Sequence, residues 1–203
     1  MKICFPFIGD TIGGSHISSL ILIRHLINKG HDVLVFVHQK GPLVDELERQ
    51  DIVFKYLPVQ KTVGQVPKTL SQIWFTVSAL FRITWVLRSN STDLIHTNDM
   101  RAHLAWTLPA RLAGVSHVWH QRTALPLSRI VSLMARIPRA VVCISQFVRQ
   151  TIPLRLRQTV HIVPNPVERN HVDKSEREYC RSVLKSQART RKECVILGAF
   201  WNL

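Results

Sequence analysis

Two kinds of residue in this 203-residue chain have the types and spacing to handle a phosphorylated substrate. The first is a glycine-bearing loop, Ile8-Gly9-Asp10-Thr11-Ile12-Gly13-Gly14-Ser15, between the short apolar run 2–7 and an apolar-periodic run from His16. A helix starting there offers unpaired N–H groups and a partial positive charge to a phosphate. Gly13 and Gly14 have no Cβ, so a ligand can approach the backbone closely. The second kind is polar residues where apolar runs end: Asn98-Asp99, His120-Gln121-Arg122, Ser145 and Asn165. Asn98, Asp99 and Arg122 could bind hydroxyls or phosphate, and a solvated surface explains each as well. Ser145 reads first as a helix cap and Asn165 as a turn residue before Pro166. His16 would sit on the first helical turn beside the loop, and His96 reads as packed within its strand.

Several chemistries are disfavoured. The loop Gly9 to Gly13 is not the GxGxxG of nicotinamide enzymes, and no Walker A lysine is present. The four cysteines, Cys4, Cys143, Cys180 and Cys194, are far apart and form no CxxC. They predict a reducing, cytosolic setting without a disulfide framework, and no Cys/His grouping has metal-ligand spacing. No metal or cofactor is expected. Lys and Arg number 27 against 13 Asp and Glu, a net charge of +14. Aromatics do not interleave with the arginines, so an anionic membrane surface or phosphorylated ligands are favoured over nucleic acid.

The elements that must position these residues alternate. Strands are predicted at 2–7, 33–37, 52–56, 93–97, 116–121, 140–144 and 160–163. Helices are predicted at 16–28, 43–49, 68–88, 101–113, 127–135 and 146–151. In the first helix Ile17, Leu20, Ile21, Arg24 and Ile27/Asn28 follow helical spacing, with Leu22, Ile23 and Leu26 broadening the apolar face. Near-continuous β-branched runs such as Val33-Leu34-Val35-Phe36-Val37 suit strands buried on both faces. The fold class expected is therefore α/β, a doubly wound, Rossmann-like parallel sheet with ligands beyond its carboxyl edge. In the helix at 68–88, Ile73, Trp74, Val77, Phe81 and Trp85 share a face. That face reads first as core, with a lipid-dipping amphipathic surface as the alternative. Residues 170–193 are highly charged and read as a linker, with a helix at about 174–187 that has no strong apolar face, and 194–200 as a new buried strand.

Four segments together resemble the N-terminal domain of a GT-B-fold glycosyltransferase of the large retaining family 4. They are the Gly13-Gly14 loop with its helix ending in Leu26-Ile27-Asn28-Lys29-Gly30-His31-Asp32-Val33, Asp93-Leu94-Ile95-His96-Thr97, Val141-Val142-Cys143-Ile144-Ser145-Gln146-Phe147-Val148, and Val163-Pro164-Asn165-Pro166-Val167. The resemblance implies two domains here: 1–169, the acceptor-side Rossmann-like half, and 170–203, a linker plus the first strand of a donor-binding half. It implies transfer of a sugar from a nucleotide-sugar donor to a glycan or lipid-linked acceptor. Gly13, Gly14 and Ser15 would lie near the donor diphosphate, and His120 would contact the transferred sugar. His16, Asn98, Asp99, Arg122 and Ser145 are the acceptor-side candidates.

The family's phosphate loop and Glu-x7-Glu motif would belong to the second half. This predicts little or no activity for the chain alone, and a separate chain as a partner that could complete it. Several relatives work at the inner membrane face, so a cytoplasmic protein peripheral to that face is expected. The alternative class is a non-catalytic basic module on an anionic membrane.

Overall fold

Seven apolar runs become strands: β1 (Lys2–Phe7), β2 (Asp32–Val37), β3 (Phe54–Tyr56), β4 (Leu94–Thr97), β5 (Ser116–Gln121), β6 (Ala140–Cys143) and β7 (His161–Ile162). The computed structural model describes residues 1–59, 69–126, 128–157 and 159–166, and positions 175, 178, 179, 182 and 183. The chain divides into two units, Met1–Pro166 and Val167–Leu203. The apolar run 194–200 and most of the helix expected around 174–187 lie outside the described residues.

All neighbouring strands pair in parallel, in the order β3-β2-β1-β4-β5-β6-β7. The expected doubly wound Rossmann-like sheet is thus present. The helices are α1 (Gly14–Asn28), α2 (Pro42–Arg49), α3 (Leu70–Ser89), α4 (Met100–Ala113), α5 (Arg129–Met134), α6 (Gln146–Thr151) and α7 (Leu154–Arg157). The strand order reverses between β1 and β4, which opens a crevice at their carboxyl ends.

The two-residue period of a strand decides which helix each side chain meets. Ile3, Phe5 and Phe7 of β1 join Val35 and Val37 of β2 in one cluster with Leu20 and Ile23 of α1 and Leu43 and Leu47 of α2. Cys4 and Phe36 point the other way, to Ile83 and Leu87 of α3 and Trp106 of α4. A third cluster gathers Trp119, Cys143, Val148 and Ile152 at the β5–β6 end. Cys4 and Cys143 are buried free thiols. Burial pushes both thiols up, Cys143 to about 11, so each serves as a small hydrophobe.

Two helix faces differ from the periodicity reading. On α1 the buried residues are Ser18, Ser19, Leu20 and Ile23, while Ile17 and Ile27 are exposed. On α3 the core face is Ala79, Ile83, Val86 and Leu87. Trp74, Phe81 and Trp85, expected as core, are 70%, 65% and 68% exposed. α3 carries apolar side chains on two faces, so spacing alone cannot select the inner one. The smaller side chains let it pack closely on α4, where indole rings would hold the two helices apart.

Gly13, the N-cap of α1, has extended backbone that any residue adopts, and a Cβ on Gly13 or Gly14 would meet nothing within 4 Å. The sterically obligatory glycine is Gly9, with φ +99°. A Cβ there would lie 2.3 Å from the Gln39 carbonyl oxygen and 2.5 Å from Val37 Cγ1. Opposite it, a Cβ on Gly41 would lie 2.4 Å from the Gly9 carbonyl oxygen. This clasp fixes the exit of β1 against that of β2. Gly9→Ala is expected to destabilise the protein by about 2 kcal/mol or more, and Gly13→Ala by less than about 0.5 kcal/mol. Urea unfolding of the two variants checks this, and equal midpoints would contradict it.

Candidate functional site

The sheet order sets the exit of β1 next to that of β4, with β5 beyond it. The loop from β1 therefore faces Asn98-Asp99 after β4 and Arg122 after β5. The first turn of α1 closes on Gly13, whose carbonyl accepts from His16 and Ile17 N–H at 2.9 and 3.1 Å. The earlier N–H groups of that turn have no helical acceptor, and the space over Gly13 and Gly14 is open. Asp10 pins the loop laterally: Arg101 Nη2 donates to both its carboxylate oxygens at 2.6 Å.

Arg122 lies at the centre and is buried. Its Nη1 donates to Ser18 Oγ at 2.8 Å and to Asn165 Oδ1. Its Nη2 donates to Asn98 Oδ1 at 3.1 Å and to Ser19 Oγ at 3.4 Å. One side chain thereby ties together α1, the β4–α4 junction, β5 and the segment after β7. All four acceptors are neutral. Burial lowers Arg122 to about 10, still charged near neutrality. Its Nε is buried without a partner.

Beside this cation lie groups whose hydrogen-bonding capacity is unfilled. His120 is 5% exposed, and neither ring nitrogen has a partner. Its ring meets His96 edge-on at 5.4 Å. His16 Nδ1, His96 Nδ1 and Asp99 Oδ2 are likewise buried and unpaired. Asp99 Oδ1 caps α4 by accepting from Ala102 N–H at 2.9 Å. Burial lowers His120 to about 4, with Arg122 adding to the effect, so the imidazole is neutral at pH 7. Burial lowers His16 too, and raises the Asp99 carboxyl. A neutral imidazole with two free nitrogens can donate one hydrogen bond and accept another, the pattern a ligand hydroxyl satisfies.

Behind the site runs a polar core whose side chains hydrogen-bond to one another. Thr97 Oγ1 lies 2.6 Å from His103 Nδ1 and 2.8 Å from His117 Nε2. His103 stacks on Trp119 at 4.1 Å, and Trp119 Nε1 donates to Gln121 Oε1 at 2.7 Å. Trp106 Nε1 donates to His38 Nε2 at 2.9 Å, so the His38 proton sits on Nδ1, which donates to the Leu57 carbonyl at 2.8 Å. Burial lowers His38, His103 and His117.

The structure thus brings Gly13, Gly14, His16, Asn98, Asp99, His120 and Arg122 to one edge. Ser15 is partly buried, and its carbonyl accepts from Ser19 Oγ at 2.7 Å. Ser145 caps α6, accepting from Val148 N–H at 3.2 Å. Arg122 differs from a free ligand contact, since both its terminal nitrogens are engaged internally. Asn165, read as a turn residue, is one of its acceptors. Sequence reasoning missed Ser18 and Ser19. Two adjacent serines just before the apolar run Leu20–Ile23, one turn from the start of the helix, are the signal that could have found them.

A family model described as Glycosyltransferase Family 4 matches residues 12–171. No curated protein matches the chain by sequence. Among solved structures, Anabaena HepE in complex with UDP and glucose aligns at 18% identity and TM-score 0.67, over 91% of this chain and 50% of its own. Acinetobacter baumannii MurG aligns at 18% identity and TM-score 0.61, over 80% and 44%. The lipopolysaccharide outer core galactosyltransferase WaaB aligns at 17% and 0.62, over 85% and 48%. At such identities the likeness is one of fold, and the chain spans about half the length of these structures.

The buried histidines make stability depend on pH. Folded values of about 3 for His96 and His117 and about 4 for His120 lie below the ordinary 6.5. The unfolded chain therefore takes up protons first as pH falls. Stability is expected to be full above about pH 6.5 and to be lost progressively toward about pH 3, each histidine contributing up to about 1.4 kcal/mol per pH unit until its folded value is reached. Urea titrations at pH 7.5, 6 and 5 measure the slope, which His120→Asn should reduce.

Proposed function

The chain belongs to Glycosyltransferase Family 4, and from that premise we propose that it forms the acceptor-side half of a retaining, nucleotide-sugar-dependent glycosyltransferase. The observation supporting this most is the carboxyl edge of the sheet. There an open glycine turn at a helix N-terminus adjoins a buried cation and a neutral histidine with both nitrogens unfilled. A nucleotide sugar presents the matching groups, a diphosphate and a ring of hydroxyls. HepE was solved with UDP and glucose, which supports that substrate class.

In this reading the first turn of α1, at Gly13, Gly14 and Ser15, faces the diphosphate. Negative charge grows there as the bond to the sugar breaks, and fixed N–H groups and the Arg122 field oppose it without reorganising. His120 holds a hydroxyl of the transferred sugar. His16 and Asp99 face the acceptor, a glycan or a lipid-linked saccharide. The chemistry calls for no metal or further cofactor from this half. The remaining diphosphate contacts come from a donor-binding domain, either in a longer chain or in a separate one, and the half alone transfers little or no sugar. The test combines the chain with a donor-binding domain of the family, supplied as a second chain, and follows transfer from UDP-sugars. Transfer should require both parts and retain the anomeric configuration, and His120→Ala should lower kcat about 10²-fold with a smaller change in KM. A His120→Ala enzyme of undiminished kcat would remove His120 from its role.

A second reading concerns location. Leu70, Ile73, Trp74, Val77, Phe81 and Trp85 of α3 are all exposed, on a chain of net charge +14. No helix among the described residues is long and apolar enough to cross a membrane. An apolar stripe with interfacial tryptophans on a basic protein suits peripheral contact with an anionic bilayer. Co-sedimentation with vesicles containing phosphatidylglycerol should exceed that with neutral vesicles and drop several-fold in Trp74→Ser/Trp85→Ser. Absence of binding at low salt would remove this reading.

A further inference from the structure

A second concave surface lies at the opposite, amino edge of the sheet. A cleft of about 310 Å³ opens under the last turns of α4, between that helix and the chain entering β6. Its chemistry comes from Thr107, Arg111, Ser116, His117 and Arg139. α4 runs back from the carboxyl edge to the amino edge. His103, Thr107 and Arg111, spaced four apart, therefore lie on one face of it. The Arg139 N–H donates to the His117 carbonyl at 2.9 Å, so the β5–β6 register brings the Arg139 backbone beside His117.

The two guanidinium groups have no ion pair or side-chain hydrogen bond among the described residues. No carboxylate lines the cleft. Nor is Arg111 needed to satisfy the end of its helix. The Ala110 and Arg111 carbonyls already accept from Val115 and Gly114 N–H at 3.0 and 3.3 Å, and the Leu112 carbonyl accepts from Arg88 at 2.6 Å. The cleft also holds a group that is not merely surface. His117 is 4% exposed, its Nε2 lies against Thr97, and its Nδ1 has no partner.

Two permanent cations lining one hollow without a counter-ion raise each other's free energy. A ligand with several acceptor oxygens and negative charge relieves both, and guanidinium forks match a phosphate best. We propose that this cleft binds a phosphate group, with Arg111 and Arg139 as its charge partners and His117 lining the site. It is separate from the carboxyl-edge site and independent of the glycosyltransferase reading. The phosphate could be free or carried on a lipid headgroup, and the test distinguishes these.

The experiment uses the full chain and two probes, inorganic phosphate at ionic strength matched with chloride, and vesicles with or without phosphatidylglycerol. Phosphate should raise Tm and shift the His117 imidazole NMR signals, and Arg111→Ala/Arg139→Ala should weaken binding at least tenfold. Both arginines are exposed, so that variant should fold, and Arg111→Lys/Arg139→Lys should recover part of the affinity. Weaker vesicle binding by the alanine variant assigns the phosphate to a headgroup. Unchanged vesicle binding with weaker phosphate binding assigns it to a soluble ligand. Phosphate acting no better than chloride, or binding the alanine variant as well as the parent, overturns the proposal, the latter placing phosphate at the Gly13-Gly14 loop instead.

Discussion

Arg122 is a cation removed from water and held by hydroxyl and amide oxygens, with no carboxylate among its hydrogen-bond partners. Burying a charge costs several kcal/mol, and charge-assisted hydrogen bonds offset this only if their geometry is kept. The partners come from three parts of the chain, so keeping that geometry fixes α1, the start of α4 and Asn165 relative to one another and to the end of β5, which carries Arg122. Neutral partners leave the positive charge uncancelled. Its field therefore extends over the crevice at the β1–β4 switch, where the N-terminus of α1 adds to it.

The same field bears on the histidines. Burial and Arg122 together keep His120 and His96 uncharged near neutrality, so the crevice holds one strong cation and several neutral hydrogen-bonding groups. A site with one fixed charge and unfilled imidazole nitrogens can discriminate a hydroxylated anion from a simple one, because both features must be met at once. Neutral imidazoles buried in this way favour the folded chain above the range in which the unfolded chain takes up protons. The unpaired His16, His96, His120 and Asp99 atoms lie at the carboxyl edge, while the paired His103 and His38 stabilise the core behind it.

Much of the architecture was legible in the residues. β-branched runs with glycine stops gave the strands, and their alternation with helices gave a parallel sheet with ligand groups at its carboxyl edge. Site residues such as His120 and Asn98 were visible because polar residues rarely end buried strands without a reason. The inner face of α3 was not legible, because both its faces are apolar and only the shape of α4 selects between them. The acceptor role of Ser18, Ser19 and Asn165 was not legible, because it exists only against a guanidinium up to 104 positions away in the chain.

The amino-acid sequence by itself determined the order of elements, the buried thiols, the basic balance and an opening at Gly13-Gly14, since these follow from local periodicity and composition. Tertiary structure decided that the obligatory glycine is Gly9, because that demand arises from the approach of Gln39 on a neighbouring strand exit. It also turned the tryptophans of α3 outward and made Arg122 an internal tie. Each of these depends on which segments meet in space, and a linear pattern records only which residues are near one another along the chain.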